Sequence, residues 1–213
     1  MSREILYTPE PGDKEQFTER FDRSYSSFAG IYDVAVRWLP VWKTWLKKAL
    51  PHIEGETVLE ASFGTGYLMM QYAGRHETFG IDYNARMVEI TEKNLARRGI
   101  KAHVERANVE SLPFEDECFD TIINTMAFSG YPDGKKALSE FGRVLKPNGR
   151  LILIDFAYPR NRNRLGVFLT RLMEKAGDII RDMDEVFRES DFDYTDQEIG
   201  GFGSVHLYIA TKR

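Results

Sequence analysis

Glu60, Ser62, Gly64 and Gly66 stand close together after an apolar run, and an acid, Asp82, follows at the end of a second apolar run. Gly64 and Gly66 remove side chains where a backbone must turn sharply and approach a ligand. A helix that starts after such a turn aims its free N–H groups at the pocket. A carboxylate at the end of the next strand can take two neighbouring hydroxyls in bidentate fashion. Together these features describe a nucleotide pocket at the C-terminal ends of parallel strands.

The details of the turn narrow the nucleotide. A dinucleotide fingerprint has a third glycine three residues after Gly66, and Met69 stands there, which weakens an NAD reading. A phosphate-cradling loop continues Gly-Lys-Ser/Thr, and Gly66-Tyr67-Leu68 does not. Glu60 would repel a pyrophosphate but suits an ammonium group or main-chain N–H groups. The zwitterionic amino-acid tail of S-adenosylmethionine meets that requirement. Asn124-Thr125-Met126 closes a later strand on the same pocket face, which makes Asn124 a further candidate contact.

The pocket needs elements to hold it, and from residue 57 the pattern alternates. Strands are predicted over 57–61, 78–81, 102–106, 119–124 and 151–155, with helices over 67–73, 85–98 and 135–145 between them. Such alternation implies an α/β, doubly wound, mostly parallel sheet with helices on both faces. Residues 164–189 carry Leu165, Phe168, Leu169, Leu172, Ala176, Ile179 and Ile180, an amphipathic helical period. Strands 192–199 and 205–211, joined by the turn Gly200-Gly201-Phe202-Gly203, must be antiparallel neighbours. That makes a seven-stranded sheet with an antiparallel C-terminal hairpin. Residues 1–13 are polar with two prolines and read as a loose arm. Within 14–50, Tyr25, Phe28, Ile31 and Tyr32 recur at helical spacing, Pro40 opens a new helix, and Trp38, Trp42 and Trp45 mark one face.

At this point the chain resembles the class I S-adenosylmethionine-dependent methyltransferases. Val58-Leu59-Glu60-Ala61-Ser62-Phe63-Gly64-Thr65-Gly66-Tyr67-Leu68 is similar to the family's first motif, and Gly80-Ile81-Asp82-Tyr83-Asn84-Ala85-Arg86-Met87 to its acidic loop. Ala107-Asn108-Val109-Glu110-Ser111-Leu112-Pro113-Phe114 resembles its Gly-Asp-Ala-x-x-Leu-Pro-Phe, and Phe119-Asp120 and the stretch from Arg143 to Leu151 resemble its later motifs. Tyr25-Ser26-Ser27-Phe28-Ala29-Gly30-Ile31-Tyr32-Asp33 is similar to the N-terminal segment of the ubiquinone/menaquinone-biosynthesis-like, type 11 branch. The resemblance implies a Rossmann-like methyltransferase fold with S-adenosylmethionine as cofactor. It implies cofactor contacts from Glu60, Ser62, Gly64, Gly66, Asp82, Tyr83, Met87, Asn108 and Val109, with Asp82 on the ribose and Met87 under the adenine. Tyr25 and Tyr32 could lay aromatic faces over the sulfonium. The chain departs from the pattern at Ser62, a family glycine, at Asn108, a family aspartate, and at Ala107, a family glycine.

As domains, the chain then reads as one methyltransferase domain over 1–213. It comprises an N-terminal helical lid (14–50), a cofactor-binding core (57–155), a substrate-side helical insertion (156–190) and a C-terminal β-hairpin (191–213).

Bulk properties exclude several alternatives. A net charge of −4 argues against a general nucleic-acid binder. One cysteine, Cys118, rules out an intrachain disulfide and fits a cytoplasmic setting. No run is long and apolar enough for a membrane span. His52, His76, His103 and His206 lack metal-ligand spacing, so no metal is expected. The expected reaction is methyl transfer to a small lipophilic or aromatic acceptor, a quinone precursor or a lipid headgroup. The alternative is a non-catalytic adenosyl-binding or regulatory domain, for which Ser62 and Asn108 leave room. No catalytic base stands out among His206, Asp155, Tyr158 and Glu174. Segment 37–48, with Arg37, Lys43, Lys47, Lys48 and three tryptophans, carries either a peripheral membrane contact or a packed lid helix. Arg160, Arg162 and Arg164 could meet an anionic group on a substrate.

Overall fold

The apolar run before the glycine turn becomes the middle of a seven-stranded sheet. In the computed structural model, which describes residues 7–19 and 40–213, the strand order is β3-β2-β1-β4-β5-β7-β6. Strands β1 (Thr57–Ala61), β2 (Glu77–Asp82), β3 (His103–Arg106), β4 (Phe119–Thr125) and β5 (Leu145–Phe156) are parallel. Strand β7 (Val205–Lys212) runs antiparallel between β5 and β6 (Phe192–Gly200). The chain leaves β1 towards β3, then crosses back to β4. The crevice beyond the ends of β1 and β4 is therefore the topological switch point, where ligands bind in open α/β sheets.

The pleat sorts the core into two layers. Leu151 and Leu153 of β5 join Leu59, Ile122 and Tyr208 on one face, while Ile152 and Ile154 join Val58, Ile123 and Leu207 on the other. Central strands covered on both faces are apolar without alternation, as Leu151-Ile152-Leu153-Ile154 is.

The described helices are α1 (residues 14–19), α2 (Pro40–Leu46), α3 (Met69–Tyr72), α4 (Ala85–Arg98), α5 (Gly134–Val144), α6 (Arg164–Ala176) and α7 (Met183–Arg188). Local chemistry sets their ends. Asn84 caps α4 by accepting from the N–H groups of Arg86 and Met87, and Gly99 ends it at φ +64°.

Three expectations need correction. The single helical period over 164–189 is broken at Gly177, whose φ of +117° ends α6, and α7 restarts behind the cap Asp182. The arm is held over residues 7–10. The Thr8 N–H donates to Ile180 O at 2.9 Å, the Tyr7 ring meets Tyr158 edge-on at 6.1 Å, and Glu10 pairs with Arg181 at 3.5 Å. Polar residues without a period carry no local signal for such long-range bonds. Strand β5 starts at Leu145 rather than Leu151, taking in a turn with Asn148 at φ +61°. In α2, Trp42 packs on Phe156 at 6.1 Å, and Trp45 fills the space at Gly200, where a Cβ would lie 1.9 Å from its Nε1. Trp38, Tyr25 and Tyr32 lie outside the described residues.

Candidate cofactor-binding site

Beyond the ends of β1, β2 and β4 lies a cleft with about 1210 Å³ of empty space, its open mouth included. Its floor is the turn after β1. Each oxygen of the Asp82 carboxylate holds one loop. Oδ2 accepts from the Gly64 N–H at 2.9 Å, and Oδ1 accepts from the Asn84 N–H at 2.9 Å. The acid that ends β2 therefore sets the distance between the glycine turn and the start of α4. It is 8% exposed and lines the cleft.

The two glycines have different reasons. Gly64, at φ +56°, faces open space, and a Cβ there would meet nothing within 4 Å. Gly66, at φ +71°, backs onto α4, where a Cβ would lie 2.6 Å from Thr91 Cγ2. Gly66 does not line the cleft. Thr91 in turn donates from its hydroxyl to Gly64 O at 2.9 Å. The close helix–strand approach that a third glycine gives a dinucleotide fold is made here by Gly80 of β2, where a Cβ would lie 2.5 Å from Met69 Cε.

Glu60 lines the cleft at 2% exposure, and the Tyr72 hydroxyl donates to its Oε2 at 2.8 Å. Burial pushes its carboxyl up to about 8; the Tyr72 hydrogen bond opposes that shift and the neighbouring Asp82 charge adds to it. An arriving cation would further favour the anionic form of a carboxyl so placed.

The remaining sequence-predicted residues divide. Tyr83, Met87, Asn108 and Val109 line the wall. Tyr83 is at the rim, with the Arg106 guanidinium 5.3 Å from its ring centre. Asn108 Oδ1 accepts from the Glu110 N–H at 2.9 Å, so part of its capacity closes a local turn. Ser62 also lines the cleft, at φ +60°. Asn124 requires correction. It is fully buried behind the wall, where its Nδ2 donates to Ala61 O at 3.0 Å and to the Tyr131 hydroxyl at 2.6 Å. In the sheet it pairs with Ala61 of β1, and it is not among the residues that line the cleft.

Tyr131 and Tyr72 are the residues that sequence reasoning missed. Tyr131 lines the cleft and shares a 2.7 Å hydrogen bond with Ser62 Oγ, while burial raises its phenol above the usual range. A signal was available for Tyr131, because Gly130-Tyr131-Pro132 follows the C-terminal end of a strand, where ligand loops sit. Arg181, buried, holds that loop by donating to the carbonyls of Phe128 and Tyr131.

None of the candidate bases lines this cleft. Asp155 is buried against the N–H and hydroxyl of Ser129 and its own Phe156 N–H, and burial with the Asp178 charge pushes it up to about 7. His206 has an acceptor at each ring nitrogen, Asp196 Oδ1 at 2.8 Å and Gly203 O at 3.0 Å. Tyr158 donates to Glu174 at 2.8 Å. Tyr158 and His206 line a separate polar cavity beside Arg160 and Asp196. Among the described residues no group of three or more His, Cys, Asp or Glu could hold a metal ion, and no helix is long and apolar enough to cross a membrane.

Residues 59–153, the stretch that builds this floor and wall, match the sequence profile of a methyltransferase domain. These residues form a methyltransferase domain of the S-adenosylmethionine-dependent kind. It is 28% identical to a demethylmenaquinone methyltransferase of Symbiobacterium thermophilum, over 96% of each chain. It is 29% identical to the ubiquinone/menaquinone biosynthesis C-methyltransferase UbiE of Klebsiella pneumoniae, over 93% of this chain and 88% of that one. Among solved structures, the [4+2]-cyclase SpnF superposes with a TM-score of 0.73 at 15% identity, covering 98% of this chain and 99% of that one. A geranyl diphosphate methyltransferase superposes at 0.72 with 16% identity, covering 92% and 99%. A cyclase on the same scaffold illustrates that fold alone does not name a reaction; the matched domain does. The methyltransferase is an enzyme, and S-adenosylmethionine is its donor. The site fits that molecule, with open space at Gly64, a buried carboxyl able to meet a cation, and an acid at the next strand end.

Proposed function

We propose that this methyltransferase transfers a methyl group from S-adenosylmethionine to a small lipophilic or aromatic acceptor of the quinone-precursor class. The observation that carries the donor assignment is Asp82, which holds both loops of the cleft and presents its carboxylate to it. In this reading Asp82 takes the ribose hydroxyls and Glu60 the amino-acid ammonium. Tyr83, Met87, Asn108 and Val109 bracket the adenine, and Gly64 leaves room beside the main chain. The donor supplies an already activated methyl group. The chain's own task is alignment, worth about 7–11 kcal/mol when the reacting atoms are held in line, and exclusion of water. Trp42, Leu46 and Met126 make the neighbouring wall apolar, which suits an aromatic acceptor. The names of the quinone-biosynthesis relatives support the same acceptor class.

The test is incubation with isotopically labelled donor and a demethylated naphthoquinone, read by mass spectrometry alongside donor binding by calorimetry. Labelled methylquinone is expected. Donor binding without transfer to any quinone would overturn the acceptor class and leave the donor site intact.

A further inference from the structure

Helix α6 is turned inside out relative to its sequence. The spacing of Leu165, Phe168, Leu172 and Ala176 predicts a stripe facing the core. The residues that face the protein are instead Gly166 and Thr170, both buried. Gly166 meets the turn after β6 so closely that a Cβ would lie 2.4 Å from Phe202 O, and the Thr170 hydroxyl donates to Ala157 O at 2.9 Å. These contacts fix the rotation of the helix. With that rotation Leu165, Phe168 and Leu172 are 56%, 64% and 47% exposed. Phe202, held at φ +57° between glycines and 61% exposed, is a further exposed apolar residue in the turn whose backbone meets Gly166. Scattered exposed apolar residues are ordinary, but a contiguous row of them marks an interaction surface.

Charge identifies the partner. Arg164, Arg171 and Lys175 are exposed and, at 3.6 residues per turn, form one ridge along the edge of the stripe next to Phe168. The one acid of α6, Glu174, turns inward and accepts from the hydroxyls of Thr8 and Tyr158. The outward face of α6 is thus apolar with a cationic border, on a chain whose net charge is −4. An anionic lipid surface satisfies both halves at once, since acyl chains accept the Phe and Leu side chains and headgroup phosphates accept the cations. The tryptophan-rich segment 37–48 does not offer the same over its described part, because Trp42 and Trp45 are packed against Phe156 and Gly200.

We propose that α6, with Phe202, docks this protein on an anionic bilayer. The proposal goes beyond the donor cleft and stands whether or not the acceptor is a quinone. Its test is co-sedimentation of the full chain with vesicles of phosphatidylcholine alone and of phosphatidylcholine mixed with phosphatidylglycerol. Binding to the mixed vesicles is expected, with loss as salt is raised. Arg171→Gln and Lys175→Gln should each weaken it about fivefold, and Phe168→Ser about tenfold. Phe168 and Lys175 are exposed, so their variants should melt near the parent, whereas Arg171 also hydrogen-bonds Tyr158 and its variant is read against Lys175→Gln. Absence of co-sedimentation, or binding that the variants leave unchanged, overturns the proposal. So does a dimer in sedimentation velocity that Phe168→Ser dissolves, which would make a second copy the occupant.

Discussion

Two glycine-rich turns in this protein each hold a non-glycine residue in the left-handed region, and they end in opposite surroundings. In Ser62-Phe63-Gly64-Thr65-Gly66, Ser62 sits at φ +60° and is tied through its hydroxyl to Tyr131 inside a cleft. In Gly200-Gly201-Phe202-Gly203, Phe202 sits at φ +57° and presents its ring to the outside. The glycines of the first turn leave space on one side and admit a helix on the other. Those of the second are filled by Trp45, Ser204 and Pro159. Glycine content alone does not mark a ligand site; what fills the vacated space does. At Gly64 nothing of the protein fills it.

Four experiments bear on this contrast. The largest effect is expected at Gly66. Gly66→Ala places a methyl group against Thr91 at positive φ and should cost about 3 kcal/mol of stability, seen as a lower melting temperature. Gly64→Ala should cost about 1 kcal/mol yet lose donor affinity in calorimetry. Equal stability losses at the two positions would erase the division between a packing glycine and a ligand-facing one. Next comes Asp82→Ala, which removes an acceptor shared by two loops. Donor affinity should fall about 100-fold, and an unchanged affinity would remove the ribose assignment.

The third test uses Glu60. Its carboxyl, raised from 4.5 to about 8, binds a proton more readily in the folded state than in the unfolded chain. Its contribution to stability is therefore complete below about 4.5 and is lost as pH rises towards 8. The melting temperature of the donor-free protein should fall across that window. Asp155, raised from 3.8 to about 7, adds a slope of the same sign. Glu60→Gln should flatten the profile in part. Donor binding at neutral pH should release a proton, detected as a dependence of the binding enthalpy on buffer; no such dependence would exclude Glu60 as the ammonium partner. The smallest effect is expected from Tyr131→Phe, which removes a hydroxyl bonded to Ser62 and Asn124; it should cost about 1 kcal/mol of stability together with a several-fold rise in KM for the donor. A pure stability loss would make the Ser62–Tyr131 bond structural only.

Much of the site was legible because its signals are local. Gly64, Gly66 and Asp82 are tied to a strand–turn–helix–strand unit whose periodicity switches within a few residues, and α4 starts at the Asn84 side chain and ends at Gly99, whose backbone takes a positive φ. Asn124 misled because a strand end says which residues reach the cleft edge but not which face each one takes. Tyr131 and Tyr72 act across 69 and 12 residues of sequence; the loop position of Tyr131 hints at the cleft, but neither residue's neighbours name its partner.

By itself the sequence determined the α/β layering and the place of the glycine turn. These follow from hydrogen-bonding and steric rules that act within one element. Tertiary structure alone decided the rotation of α6, the inward packing of Trp42 and Trp45, and the anchoring of residues 7–10. A helical period says only that one face is apolar. Which face meets the core depends on what the rest of the chain can fill, and at α6 the close approach at Gly166 and the Thr170 hydrogen bond outcompeted the burial of Leu165, Phe168 and Leu172.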